Sequence, residues 1–242
     1  MNNHAAPNPS EELTDKASVG ETVSVGEATL SESALTRWEL AVELRVNLLR
    51  AVSISVFYLV HLWNVVASQM GESMAVFYGQ HEVTPVKPQI HLAVSLICLA
   101  WVMLAIVVHL GIAQRKPFGR WAFGVTLGDI LCLTTILIFS TGPSGPMVAG
   151  YFLIILMAGM RHDLRLVWMT SIAVVAGYLV LLGFTRWPPA IVQDLELKTI
   201  PRYHQLMFIL ALVFAGVLTG QIVRLGWSLS TLLSSADEEA ES

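Results

Sequence analysis

The sequence predicts an all-α, polytopic membrane protein, a six-transmembrane-helix bundle with a cytoplasmic amphipathic helix before the first span. Three observations carry this. Six apolar stretches of near-membrane length follow one another between residues 46 and 223. Charged residues make up only 13% of the chain and hydrophobic ones 55%, where a soluble domain carries about 25% charged residues. Mean hydropathy is correspondingly high, at +0.64. Lysine and arginine, finally, are unevenly shared between alternate connections.

Residues 1–32 are polar, with Glu11, Glu12, Asp15, Glu21 and Glu27 set against Lys16. Such a segment buries too little apolar surface to offset the entropy of ordering, so a disordered acidic tail is expected. It has no apolar core of the kind a secretory signal peptide needs. Over residues 33–50, Leu35, Trp38, Val42, Val46 and Leu49 recur at spacings of three and four, with Arg37, Glu39, Glu43 and Arg45 between them. This is the pattern of an amphipathic helix, expected on the inner membrane surface or against a partner helix.

The transmembrane domain covers 51–224, with spans at 51–67, 90–112, 121–140, 146–160, 164–184 and 204–223. A helix needs about 20 residues to cross the hydrocarbon, so the first and fourth are short and call for tilt, thinning or shielding by neighbours. Residues 225–242 read as a short helical extension carrying Leu225, Leu229, Leu232 and Leu233, then an acidic tail. With an inner N-terminus, the inner segments hold Lys16, Arg37, Arg45, Arg50, Arg115, Lys116, Arg120, Arg161, Arg165 and Arg224. The outer ones hold only Lys87, Arg186, Lys198 and Arg202. Positive residues favour the cytoplasmic side, which places both termini of a multi-pass cell-membrane protein there. Trp121, Trp187 and Trp227 fall at span ends, where indoles prefer to sit.

Asp129 is the sole carboxylate within a predicted span. A charge at that depth costs at least about 2.5 kcal/mol, so it must face the bundle and find a partner or a proton. Counted from the start of the first span, His61 lies at nearly the same depth, with Asn64 one turn further on. Asp129, His61 and Asn64 are therefore the ligand-binding or proton-sensing candidates, and a His61–Asp129 couple competes with simple interhelical hydrogen bonding. Gly124 and Gly128, and again Gly216 and Gly220, form small-residue strips suited to helix packing. Cys98 and Cys132 lie in apolar stretches and indicate no disulfide scaffold. His81, His91 and His204 near the outer surface match no metal-ligand spacing, and no cofactor is named. The small net charge of −4 leaves no basic patch for nucleic acid.

Gly142-Pro143-Ser144-Gly145 spells G-x-S-G at the entry to the fourth span, and His204 opens the sixth. Together with His91-Leu-Ala-Val-Ser95 this resembles the rhomboid intramembrane serine proteases. The departures are large, because Pro143 and Pro146 flank the serine and the first outer connection is short. A proline-glycine turn accounts for the same residues. More of the chain, roughly 35–224, resembles the six-span N-terminal sensor region of bacterial histidine kinases and related signalling cyclases. The likeness lies in Phe139-Ser-Thr-Gly-Pro-Ser-Gly-Pro146, Tyr151-Phe-Leu-Ile-Ile-Leu, the stretch 161–178 and the lead-in Leu44-Arg45-Val46-Asn47-Leu48-Leu49-Arg50. No P-loop, kinase glycine loop, phosphoacceptor histidine box or C-x-x-C follows. The resemblance thus implies a non-enzymatic membrane sensor or regulatory module without its own output domain. It would act through a separate cytoplasmic or membrane signalling protein, or as a homodimer. The competing readings are a rhomboid-like protease, a small transporter, and a haem- or quinone-linked membrane subunit.

Overall fold

The computed structural model describes residues 37–66, 88–114, 119–140, 142–188 and 200–241, with side chains omitted at 119–120 and 233–241. The expected acidic tail at 1–32 and His81 lie outside the described residues. Two units divide the chain, Met1–Val42 and Glu43–Ser242, and the contacts below belong to the second.

All regular structure among the described residues is helical. Helix α1 spans Arg37–Val66, α2 Pro88–Ala113, α3 Gly119–Phe139, α4 Gly150–Met160, α5 Leu164–Arg186 and α6 Arg202–Glu241. Five of these are long and apolar enough to cross a membrane, as a multi-pass membrane protein requires. The sixth, α4, is preceded by 3-10 turns at Gly142–Ser144 and Pro146–Ala149, so the apolar stretch Pro146–Met160 matches the bounds expected from sequence. Its shortness is met by shielding. Tyr151, Ile154, Ile155, Met157 and Ala158 are all buried against neighbours.

Position in the bundle follows from burial. In α3, 56% of the spanning window is covered, against 22% in α1 and in α2, so α3 is the central column. It packs on α2, α4 and α5, and α5 in turn packs on α4 and α6. The core between them is built from Leu133, Ile136, Leu137, Tyr151, Ile155, Val174 and Leu181. Hydroxyls in these helices return to the carbonyl one turn back, as Thr126 to Ala122, Thr134 to Ile130 and Ser171 to Val167 do. That satisfies them without water, which a membrane interior demands.

Small residues set the closest approaches. A Cβ on Gly150 would stand 2.8 Å from Phe57 Cζ, and one on Gly177 3.0 Å from Thr134 Oγ1. Gly159 faces Thr219 and Gly216 faces Ser171 with even less room. Of the four glycines expected to pack helices, Gly128 sits against Leu104, Gly216 against Ser171 and Gly220 in ordinary contact with Leu164. Gly124 has no atom of the described residues within 4 Å of a would-be Cβ, so it packs against none of them. The spacing of four found the strips, but it cannot tell which strip faces a neighbour. Gly216→Ala should therefore destabilise the protein by about 1–3 kcal/mol through overpacking. Gly124→Ala should be neutral or gain up to about 1 kcal/mol of helix propensity. Thermal unfolding in detergent compares them, and equal midpoints for the two variants would contradict this packing.

Helix α1 differs from expectation at its start. The sequence separates an interfacial helix over 33–50 from a span beginning at 51, whereas α1 is one helix from Arg37 to Val66. Its buried positions are Glu43, Val46, Asn47, Arg50, Ser53, Ile54 and His61, so polar groups share the inward face. The physical reason is that Glu43 and Arg50 have opposite charges waiting for them, Arg161 in the turn after α4 and Asp129 on α3.

Candidate functional site

Asp129 lies ten residues into α3, about 15 Å from its first residue at about 1.5 Å per residue. Its carboxylate is only 2% exposed and sits at the centre of a closed network. Arg50, at 1% exposure on α1, donates from Nε to Oδ1 at 2.7 Å and from Nη2 to Oδ2 at 2.9 Å. This two-pronged pairing is the strongest geometry open to a guanidinium and a carboxylate. Trp101 on α2 donates its indole N–H to Oδ1 at 2.7 Å. Arg50 Nη1 donates to Asn47 Oδ1 at 2.8 Å, and Asn47 Nδ2 donates to the Ala105 carbonyl at 3.1 Å. Three helices are thus tied by groups with almost no access to solvent. The Trp101 ring also stacks on Phe57 of α1, with centroids 6.2 Å apart.

The expected His61–Asp129 couple is not formed. His61 lies eleven residues beyond Arg50 on α1, about 16 Å further along the axis. Depth counted from residue 51 placed it level with Asp129. The helix starts fourteen residues earlier, at Arg37, and the two positions are far apart in depth. His61 Nε2 instead meets His91 Nδ1 of α2 at 3.1 Å, with ring centroids 5.3 Å apart and planes inclined by 14°. That is a head-to-head N–H···N contact, which needs one proton between the rings; protonating both would set two N–H groups against each other. Tyr58 lies beside it, its hydroxyl 3.5 Å from Ser95 Oγ. Asn64 is exposed on α1. The three sequence-predicted residues are therefore not one site. Asp129 anchors a buried network, His61 belongs to a histidine pair near the end where α1 stops and α2 starts, and Asn64 joins neither.

A second charged tie lies nearer the start of α1. Arg161, in the turn between α4 and α5, places Nε 2.7 Å from Glu43 Oε1 and donates from Nη2 to Oε2 at 2.9 Å. Its Nη1 donates to Thr126 Oγ1 of α3 at 3.0 Å. The turn itself closes with His162 at φ 53°, a left-handed residue of the kind that ends helices. Asp163 then caps α5 by accepting from the backbone N–H of Arg165 and Leu166.

Sequence reasoning missed Arg50, Trp101, Glu43 and Arg161 as partners. One signal was available. Glu43, Asn47 and Arg50 recur at spacings of four and three, a polar stripe on a single face that carries Val46 with it.

Among the described residues no group of three or more His, Cys, Asp or Glu is placed to hold a metal ion. Cys98 and Cys132 are free thiols. His61 and His91 touch directly, whereas axial haem ligands stand on opposite faces of the ring with the iron between them, so this pair as arranged does not fit a haem. The segment 142–149 is a run of 3-10 turns, with Gly142 at φ 63° and Pro143 buried. His204 is exposed, its ring against Tyr203. Comparison of the chain with protein-family models, with curated proteins and with solved structures gave no match.

Proposed function

We propose that this protein is a six-span membrane sensor or regulatory module, with both termini cytoplasmic, that signals through a separate protein docked on the far part of α6. The observation that carries this reading is the length and face of that helix. At 40 residues α6 runs about 60 Å, twice the hydrocarbon thickness of roughly 30 Å. Leu218, Ile222, Leu225, Leu229 and Leu232 alternate at spacings of four and three along it, and each is more than half exposed. Inside the membrane such a stripe faces lipid. Continued past Arg224 it meets water, where a coiled-coil-like seam calls for a partner helix.

Charge placement supports the orientation, since Arg161, Arg165 and Arg224 gather at the end from which α6 projects, while Arg186 and Arg202 lie at the other. The Pro146–Met160 stretch, buried by its neighbours, supports six crossings rather than five.

The test is substitution of Leu225, Leu229 and Leu232 by Asp in the full chain. The thermal midpoint in detergent should stay within about 0.5 kcal/mol-equivalent of the parent, as exposed positions allow. The triple variant should nevertheless fail to restore the transcriptional profile of a strain deleted for the gene. Full restoration would end the proposal that output leaves through this face.

A further inference from the structure

We propose that the groove between the start of α5 and the membrane exit of α6 binds the headgroup of an anionic phospholipid, with its phosphate held by Arg165 and Arg224. The proposal requires that the chain be embedded in a bilayer; it does not rest on the signalling role. The groove is a half-open cleft of about 450 Å³, lined by Asp163, Leu164, Arg165, Val223, Arg224, Trp227 and Ser228. Three features of this lining point to lipid.

The first is uncommitted positive charge. Arg50 and Arg161 are matched by Asp129 and Glu43. Arg165 and Arg224 are exposed, and no carboxylate among the described residues lies within ion-pair distance of either. Asp163, the one acid of the lining among the described residues, accepts through Oδ1 from two backbone N–H groups at 2.9 and 3.4 Å. Guanidinium groups pair with phosphate oxygens in the same forked geometry that Arg50 uses on Asp129.

Depth is the second. From Arg202 to Arg224 along α6 is 22 residues, about 33 Å, and from Arg165 to Arg186 along α5 is 21, about 32 Å. Both helices thus carry arginines one hydrocarbon thickness apart, which puts Arg165 and Arg224 at the level of lipid phosphates. Basic pockets between helices at that level are the kind that hold anionic headgroups.

The third is the wall. Leu164, Val223 and the Trp227 indole give the groove a mainly apolar lining, which favours a glycerol backbone and upper acyl chain and offers a free phosphate nothing. The indole is held in place by donating its N–H to the His162 carbonyl at 3.3 Å. The left-handed turn at His162 sets where that carbonyl stands.

The experiment uses the full chain in detergent with added lipid, read by native mass spectrometry and by lipid-induced thermal stabilisation. Phosphatidylglycerol should be retained in preference to phosphatidylcholine. Arg165→Gln and Arg224→Gln should each weaken retention about fivefold, given about 1 kcal/mol per cation at a membrane surface. Arg186→Gln, at the opposite end of α5, serves as the control and should change nothing. A large excess of glycerol 3-phosphate should fail to displace the lipid. Equal retention of phosphatidylcholine, or an effect of Arg186→Gln as large as that of Arg165→Gln, would overturn the site. Displacement by glycerol 3-phosphate would reassign it to a soluble anion and overturn the lipid proposal. Thermal midpoints of the lipid-free variants equal to the parent's show that lost retention reports binding. Should either arginine variant fold poorly, Trp227→Phe, which removes the indole N–H but keeps a ring, should give the same loss, and full retention there would count against the groove.

Discussion

Arg50→Ala should lower the stability of the folded protein by about 3–5 kcal/mol, the loss expected when one member of a buried ion pair is removed. The substitution leaves the Asp129 carboxylate with only the Trp101 indole as donor, at a position 2% exposed and deep in α3. Asp129→Leu strands the guanidinium in the same way and should cost a similar amount. Asp129→Asn keeps one oxygen to accept from Arg50 Nε and Trp101 but sets its amide N–H against Arg50 Nη2 and removes the charge match, and should fall between that variant and the parent. Replacing both residues by leucine should recover much of the loss, because an apolar pair of similar volume avoids desolvating two charges. Recovery will stop short by about 1–3 kcal/mol, since the Trp101 N–H then has no acceptor. Unfolding of the single and double variants in detergent gives the coupling energy, expected at or above the upper part of the usual 0.5–3 kcal/mol range. Strictly additive losses would mean that the network does not hold α1 to α3.

What the sequence disclosed, and what it withheld, follows from the kind of information each feature carries. Apolar length survives any packing, so the 146–160 stretch could be bounded from sequence and recurs unchanged in the structure. Asp129 could be singled out because a lone carboxylate in an apolar run is costly wherever it faces. Its partner could not. Arg50 precedes the apolar run that begins at residue 51, and it reads as an interfacial cation until Asp129 is known to stand opposite. Continuity of α1 from Arg37 is what carries Arg50 into the bundle, and that same continuity moves His61 away from Asp129 and onto His91. The glycines repeat the point. Gly124 satisfies a spacing rule and meets no neighbour among the described residues, whereas Gly150, Gly159 and Gly177 belong to no such pair and make close approaches. Periodicity gives the face of one helix; which helix it meets depends on the assembled bundle.

The Glu43–Arg161 tie offers the sharper test of how α1 is held, because it sits seven residues nearer the start of the helix than Arg50 and uses a different neighbour. Arg161→Ala should cost about 3 kcal/mol, the lower end expected for breaking a buried pair, since both side chains are less than one-tenth exposed. Glu43→Gln should cost nearer 1 kcal/mol, because its amide oxygen can still accept from Nη2. The informative variant is the exchange, Glu43→Arg with Arg161→Glu. It restores opposite charges across the same gap, but Thr126 limits the recovery. Its hydroxyl now donates to the Ala122 carbonyl at 2.8 Å and accepts from Arg161 at 3.0 Å. A glutamate at 161 would need that hydroxyl as a donor, and the bond to Ala122 would be lost. The exchange should therefore remain about 1 kcal/mol below the parent, the worth of one hydrogen bond, yet stand clearly above Arg161→Ala. Chemical unfolding in detergent ranks the variants. If the exchange proves no more stable than Arg161→Ala, then charge complementarity at this turn does not hold α1 in place, and apolar contacts such as Phe57 against Trp101 and Gly150 must do so instead.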